Sequence, residues 1–164
     1  MGMLKRLYIK LKDVTSGAIR QGWSVSKVCW SAAWGIAVGL FPIYGVTTAT
    51  LGLIGWLGRL NHAVLQACNY VVAPLKLLLI LPHIRLGEWI FREDTPFSLS
   101  INEFTYQFRA SPMDALREFG WTFVHAVAGW MLVAPIFLLV AYVVMHSLVR
   151  FGRRAGQNPL VISP

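Results

Sequence analysis

The residues best suited to chemistry in this chain are polar side chains set among long apolar runs. Such groups can recognise an anion: a guanidinium binds phosphate or carboxylate through two parallel hydrogen bonds, and amide and hydroxyl groups add further donors. An ionisable residue inside an apolar membrane segment is a functional candidate by default. We therefore predict a site for a small or lipid-linked anionic substrate, built from Thr47, Arg59, Asn61, Asn69 and Lys76.

Several of these residues also have a structural interpretation. Thr47 and Asn69 each have a polar neighbour three residues away on the same helix face, and such pairs can hydrogen-bond to an adjacent helix. Arg59 can mark the cytoplasmic end of a membrane segment, and Lys76 can extend its amine to the outer interface. His125 also lies in an apolar run, and we expect it to be a packing histidine with satisfied nitrogens. The sequence leaves the functional and structural interpretations of the site open.

The sequence carries none of the common signatures of enzymes. It has no paired-histidine metal spacing, no Gly-x-Ser-x-Gly, no Walker loop and no Cys-x-x-Cys. We predict no catalytic residue, no metal site and no cofactor. Cys29 and Cys68 lie inside apolar stretches, where a free thiol behaves as a small hydrophobe, so we expect no disulfide between them.

Two interruptions of the apolar sequence would shape the site. The stretch GLFPIYG, residues 39–45, places Pro42 and Gly45 between two apolar runs, and the stretch NYVVAPLK, residues 69–76, contains Pro74. Non-helical backbone at membrane depth is tolerated only where protein buries it or where it lines a wet cavity. Paired breaks of this kind point to a midplane binding site in transporters. We predict a structural break at both positions.

The composition indicates an integral membrane protein of one domain. The chain has 164 residues, of which 56% are hydrophobic and 13% are charged, outside the usual range of soluble globular proteins. Its net charge of +8 does not indicate a nucleic-acid partner, because the basic residues flank apolar runs and no recognition module accompanies them. Membrane lipids are the expected partners.

The hydropathy pattern predicts an all-α membrane protein with an interfacial N-terminal helix, a Pro/Gly-broken, re-entrant-like helical hairpin and two transmembrane helices. In residues 1–22 apolar positions recur at helical spacing among basic ones, as in a helix that lies on an anionic leaflet. The predicted segments are an interfacial helix at 1–22, a broken hairpin at 28–58, a transmembrane helix at 60–92, an outer elbow at 93–118, a second transmembrane helix at 119–149 and a basic cytoplasmic tail at 150–164.

The distribution of charge predicts how these segments cross the membrane. Residues 85–118 hold four basic and six acidic residues, whereas the rest of the chain holds 11 basic residues and one acid. The positive-inside rule therefore puts both termini and Arg59 in the cytoplasm and 85–118 outside. Residues 28–58 carry no charge, but these 31 residues are too few for two full spans, which need about 40. A hairpin that returns to the side it entered satisfies all the charges; whether it is re-entrant or fully spanning stays open.

The stretch from residue 37 to 75 resembles a bacterial membrane family, domain of unknown function 2062 (DUF2062). The family pattern is a glycine-rich apolar lead, Phe, Pro and Gly in a break, then Arg-x-Asn, and an Asn shortly before a Pro. The matching residues here are Gly39, Phe41, Pro42, Gly45, Arg59, Asn61, Asn69 and Pro74. This chain departs from the pattern by inserting residues 70–73 between the last Asn and Pro, where family members often read Asn-Pro directly.

The resemblance implies a bacterial inner-membrane protein of unassigned activity. Some members of that family are fused to glycosyltransferase-like domains, which implies work on the cell envelope. Combined with the predicted anion site, this favours a transport or flippase-like element, and a homo-oligomer because so few helices enclose little space. The alternative is a non-catalytic accessory or scaffold subunit of an envelope glycan or lipid enzyme, docking through glycine faces such as Gly35 and Gly39.

Overall fold

The computed structural model describes residues 3–43, 45–93 and 111–156, which form helices and turns and contain no strand. The helices are α1 (Met3–Arg20), α2 (Val25–Gly39), α3 (Val46–Leu57), α4 (His62–Phe91) and α5 (Pro112–Gly156). The prediction of an all-helical fold is confirmed. Two helices are long and apolar enough to cross a membrane, α4 over its whole length and α5 over Gly120–Phe151.

Helices α2 and α3 form an antiparallel hairpin. The Nζ atom of Lys27 in the first turn of α2 donates a hydrogen bond to the Arg59 carbonyl oxygen, 3.2 Å away and just beyond the end of α3. The hairpin therefore returns to the end at which it started. With 15 and 12 residues, the two helices are about 22 and 18 Å long, which is shorter than a hydrocarbon core of about 30 Å.

Helix α4 runs parallel to α2 and packs along it. The contacts advance together along the two helices: the backbone of Asn61 bonds to Ser31, Gly35 faces Leu65, and Gly39 faces Asn69. Helix α5 returns antiparallel to α4. Its closest approach brings Gly129 against the backbone of His83 and brings His125 against Gly87. The result is a bundle of α2, α4 and α5, with α3 packed on its flank.

Two apolar clusters hold the bundle together. The first joins α1, α2, α4 and α5 through small and medium buried side chains. These are Ala18, Val28, Cys29, Ala32, Val64, Cys68 and Met145. The second joins α2, α3 and α4 through Val38, Leu51, Leu60 and Leu65. Cys29 and Cys68 are buried free thiols, which confirms that they form no disulfide.

The second predicted break is wrong. Helix α4 runs without interruption from His62 to Phe91, with Pro74 and Pro82 inside it. A proline inside a helix removes one backbone hydrogen bond and clashes with the preceding turn, and a long helix absorbs this by bending rather than ending. Helix α5 likewise continues through Pro135.

The structure changes the boundaries of the outer elbow and the basic tail. Helix α5 begins at Pro112, where proline fits a first helical position, and continues to Gly156. Part of the predicted elbow at 93–118 and the start of the tail at 150–164 are therefore continuous with the second membrane helix. The remainder of the elbow, 94–110, and of the tail, 157–164, lies outside the described residues.

Candidate functional site

The first break separates α2 from α3. Helix α2 ends at Gly39, Pro42 is buried, and α3 starts after Gly45, whose φ of +87° is a conformation that glycine adopts readily. No side chain caps the start of α3. Phe41 and Ile43 are half-buried and Gly45 is exposed, so protein covers only part of this non-helical backbone.

An aromatic residue of α5 closes one side of this break. The indole Nε1 of Trp130 donates a hydrogen bond of 3.0 Å to the Ala37 carbonyl oxygen, in the last turn of α2. The Phe41 ring packs edge-on against the Trp130 ring, with 4.9 Å between centroids. This contact satisfies one of the carbonyls that a helix leaves unpaired at its end. No local sequence pattern indicates Trp130, because the contact joins residues 93 positions apart.

Three of the five predicted site residues lie on elements that meet at the break. Asn69 is buried against the last turn of α2, where a Cβ on Gly39 would lie 3.1 Å from its Cα atom. Thr47 is buried in the first turn of α3. Lys76 follows Asn69 by seven residues, about 10 Å along the same face of α4. The α4 face that packs on α2 therefore continues to Lys76 beyond the end of α2.

Lys76 does not extend to an interface. Only 3% of the residue is exposed, so its side chain is enclosed by the bundle rather than extended along the surface. This corrects the expectation of a snorkelling lysine. Burial of an amine within a membrane-spanning bundle is costly, and such residues are retained where they pair with other groups or serve a site.

Arg59 and Asn61 lie at the opposite end of α3, about 18 Å of helix away from the break. Arg59 is exposed in a turn with a φ of +47°, and its carbonyl oxygen accepts the Lys27 bond. Asn61 is buried and caps α4, because its Oδ1 accepts a 3.0 Å hydrogen bond from the Val64 backbone N–H. The structure thus gives Asn61 a structural role and separates both residues from the other three.

Polar side chains also connect the hairpin to α4. Gln66 Nε2 donates to the Thr48 carbonyl oxygen over 3.2 Å, and Asn69 Nδ2 donates to Gln66 Oε1 over 3.4 Å. The first bond joins α4 to α3, whereas the second lies within α4, so Asn69 is linked to the hairpin only through Gln66. The Oδ1 atom of Asn69 lies close to the last turn of α2. A Cβ atom added to Gly39 would be 3.3 Å from it.

The two ends of the bundle differ in charge. The end where the hairpin opens carries exposed basic side chains, and these are Arg20, Lys27, Arg59 and Arg150; helix α1, which packs near this end, adds exposed Lys10, Lys12 and the acidic Asp13. The other end, where α4 stops, carries both signs, with Arg85, Glu88, Arg92 and Glu93. The first end is therefore the more basic of the two. Among the described residues, no cluster of histidine, cysteine and acidic side chains could hold a metal ion.

Comparison with known proteins gives a family but no closer relative. Neither the curated proteins nor the solved structures yield a match. The family model described as "Uncharacterized protein conserved in bacteria (DUF2062)" matches residues 11–157. The match extends well beyond the stretch at 37–75 and includes the hairpin, α4 and α5. Because it covers most of the chain, the protein belongs to the DUF2062 family.

Proposed function

We propose that this protein is a bacterial inner-membrane transport or flippase-like element that handles a small or lipid-linked anionic substrate of the cell envelope. The observation that carries the proposal is the buried Lys76, on the α4 face that continues past the end of α2 toward the break. A buried cation on a helix that packs against the end of a broken segment is suited to bind an anion within the membrane.

The start of α3 adds to the attraction for an anion. The first N–H groups of a helix are unpaired and carry the positive end of its dipole. Gly45 provides no side-chain cap for them, and the hydroxyl of Thr47 lies in the same turn. In this proposal Lys76 supplies the charge, while Thr47, Asn69 and the α3 backbone supply hydrogen bonds.

The cytoplasmic location of both termini is also a proposal, and the basic end of the bundle supports it. With that end in the cytoplasm, Arg59 stands at the entrance to the hairpin, where its charge attracts anions by long-range steering. Asn61 then acts indirectly, by fixing the start of α4. In this arrangement Arg59 contributes to function by attracting the anion, without contacting it at the break.

A homo-oligomer is the form we propose for the working protein. Three packed helices and one flanking hairpin arm enclose little space, and α3 keeps large apolar side chains exposed, among them Leu53, Trp56 and Leu57. Membrane lipids or a second copy would cover that face. The accessory-subunit alternative would have to dock through a surface other than Gly35 and Gly39, because α4 already covers both.

The proposal is tested by lipid movement in vesicles. Purified protein is reconstituted with trace NBD-labelled phosphatidylglycerol, which is anionic, or NBD-labelled phosphatidylcholine, which has no net charge. Dithionite then bleaches only the outer leaflet, so any faster loss of inner-leaflet signal reports flipping. We expect the protein to accelerate the anionic probe over the neutral one, and Lys76→Met to lower that rate at least tenfold.

A matched control removes a cation that does not face the break. Arg150→Gln neutralises an exposed residue near the end of α5 and should leave the rate unchanged. Uptake of radiolabelled inorganic phosphate by the same vesicles examines a small soluble anion. If wild type moves none of the three probes, or if Lys76→Met retains the full rate, the proposed site is wrong.

A further inference from the structure

Helices α4 and α5 cross at a pair of His-x-x-x-Gly sequences. His83 and Gly87 lie on α4, and His125 and Gly129 lie on α5. Each glycine packs against the backbone of the opposite histidine: a Cβ on Gly87 would collide with the His125 carbonyl, and one on Gly129 would collide with the His83 carbonyl. The two backbones therefore touch, and no water fits between them at this crossing.

His83 is enclosed beside this crossing without a hydrogen-bond partner. Only 3% of the residue is exposed, and neither Nδ1 nor Nε2 has a partner among the described residues. The ring of Phe137 on α5 faces it edge-on, with 6.3 Å between the two centroids. A neutral imidazole tolerates an apolar environment far better than an imidazolium, because a buried charge requires water or a counter-charge.

Among the side chains that the structure describes on the two helices, no charged group pairs with His83. On α4, Lys76 lies two turns before His83 and is basic, while Glu88 is already paired with Arg85 at 2.8 Å. From α5, the titratable side chain at the crossing is His125. Its Nε2 lies 3.7 Å from an oxygen of Glu93, too long for a hydrogen bond, so the expectation of a satisfied histidine is wrong. Protonated His125 would have Glu93 as its partner.

We propose that His83 is a proton-binding site that opens the α4–α5 crossing on acidification. Neutral His83 allows the helices to close on Gly87 and Gly129. A proton on its ring requires hydration, and water can enter only if the backbones separate. His125 does not have this effect, because Glu93 neutralises its charge in place. The ligand is the proton, which free imidazole side chains bind between about pH 5 and 8. This proposal does not depend on the anion site.

The test measures the distance between the outer ends of α4 and α5. Spin labels are attached at Trp89→Cys and Met113→Cys, two exposed positions, in a chain carrying Cys29→Ala and Cys68→Ala. Pulsed electron paramagnetic resonance then gives the distance in lipid nanodiscs at pH 8 and pH 5. We expect the distance to lengthen by about 2 Å or more at pH 5, the scale of helix shifts in switching proteins.

Three variants decide whether His83 is responsible. His83→Phe should abolish the pH response, and His83→Gln serves the same purpose if the larger ring prevents folding. His125→Gln, a change at an equally buried histidine, should retain it. A wild-type distance that is the same at pH 8 and pH 5 overturns the proposal. A response that survives both His83 substitutions also overturns it.

Discussion

The Nζ atom of Lys27 donates a hydrogen bond to the carbonyl oxygen of Arg59 over 3.2 Å, although 32 positions separate the two residues in sequence. This contact joins the start of α2 to the turn after α3. It holds Lys27 and Arg59 at one end of the bundle, so the hairpin ends on the side where it begins. The orientation of the whole chain in a membrane depends on that return.

We predict that the N-terminal helix and the hairpin exit label from the same side of the membrane. Single cysteines at Lys10 and Arg59 should react with a membrane-impermeant maleimide in inverted vesicles but not in intact spheroplasts. A cysteine at Trp89, exposed near the end of α4, should show the opposite pattern. The background carries Cys29→Ala and Cys68→Ala. Labelling of position 59 from outside would contradict the proposed topology.

Ser31→Ala should destabilise the junction between α2 and α4. The Ser31 hydroxyl donates to the Lys27 carbonyl over 2.7 Å and accepts from the Asn61 backbone N–H over 2.9 Å, and the residue is fully buried. Its removal leaves the Asn61 N–H buried and unpaired, which costs about 1–3 kcal/mol of unfolding free energy. Thermal unfolding in detergent measures the loss. Ser26→Ala, at an exposed position of α2, is the control and should be neutral.

Substitution of Asn61 separates a capping role from substrate binding. Asn61→Ala removes the cap of α4 and should cost about 1 kcal/mol of stability, whereas Asn61→Asp keeps an accepting oxygen and should restore it. Thermal unfolding and the vesicle assay are measured on both variants. Near-normal stability together with lost lipid movement in Asn61→Asp would show that Asn61 meets the substrate directly, against our assignment.

Gly35→Ala should be strongly destabilising, whereas Gly52→Ala should not. A Cβ on Gly35 would lie 2.5 Å from the Leu65 carbonyl oxygen and 2.8 Å from the Cys68 Cβ, so α2 and α4 must separate. A Cβ on Gly52 meets nothing within 4 Å, and alanine there should stabilise α3 by about 0.5–1 kcal/mol. The melting temperatures of the two variants should therefore move in opposite directions. Equal shifts would contradict the close α2–α4 packing.

Local sequence features were sufficient to predict the elements near the hairpin. Residues 28–58 carry no charge and contain Pro42 and Gly45. These features predicted two short helices separated by a break, and the structure has the two helices and the break between them. The burial of Cys29 and Cys68 followed from the apolar residues around them. These features depend on residues that are close together in sequence, so they can be predicted from the sequence alone.

Features that depend on packing between distant helices were not predictable. Pro74 looked like a break, yet the long helix around it continues. Lys76 looked like a snorkelling residue, because the sequence does not say which face of α4 the bundle covers. The Trp130 contact with Ala37 and the crossing at Gly87 and Gly129 depend on the register between α5 and its partners, which no local pattern specifies.

The indole that closes the break has a consequence for biogenesis. Trp130 follows Ala37 by 93 positions, so the ribosome has made both arms of the hairpin and all of α4 before this group emerges. Until then the last turn of α2 lacks its donor, and the Phe41 ring lacks its partner. Nascent chains truncated before residue 130 should therefore hold the end of α2 less firmly than the full-length chain does.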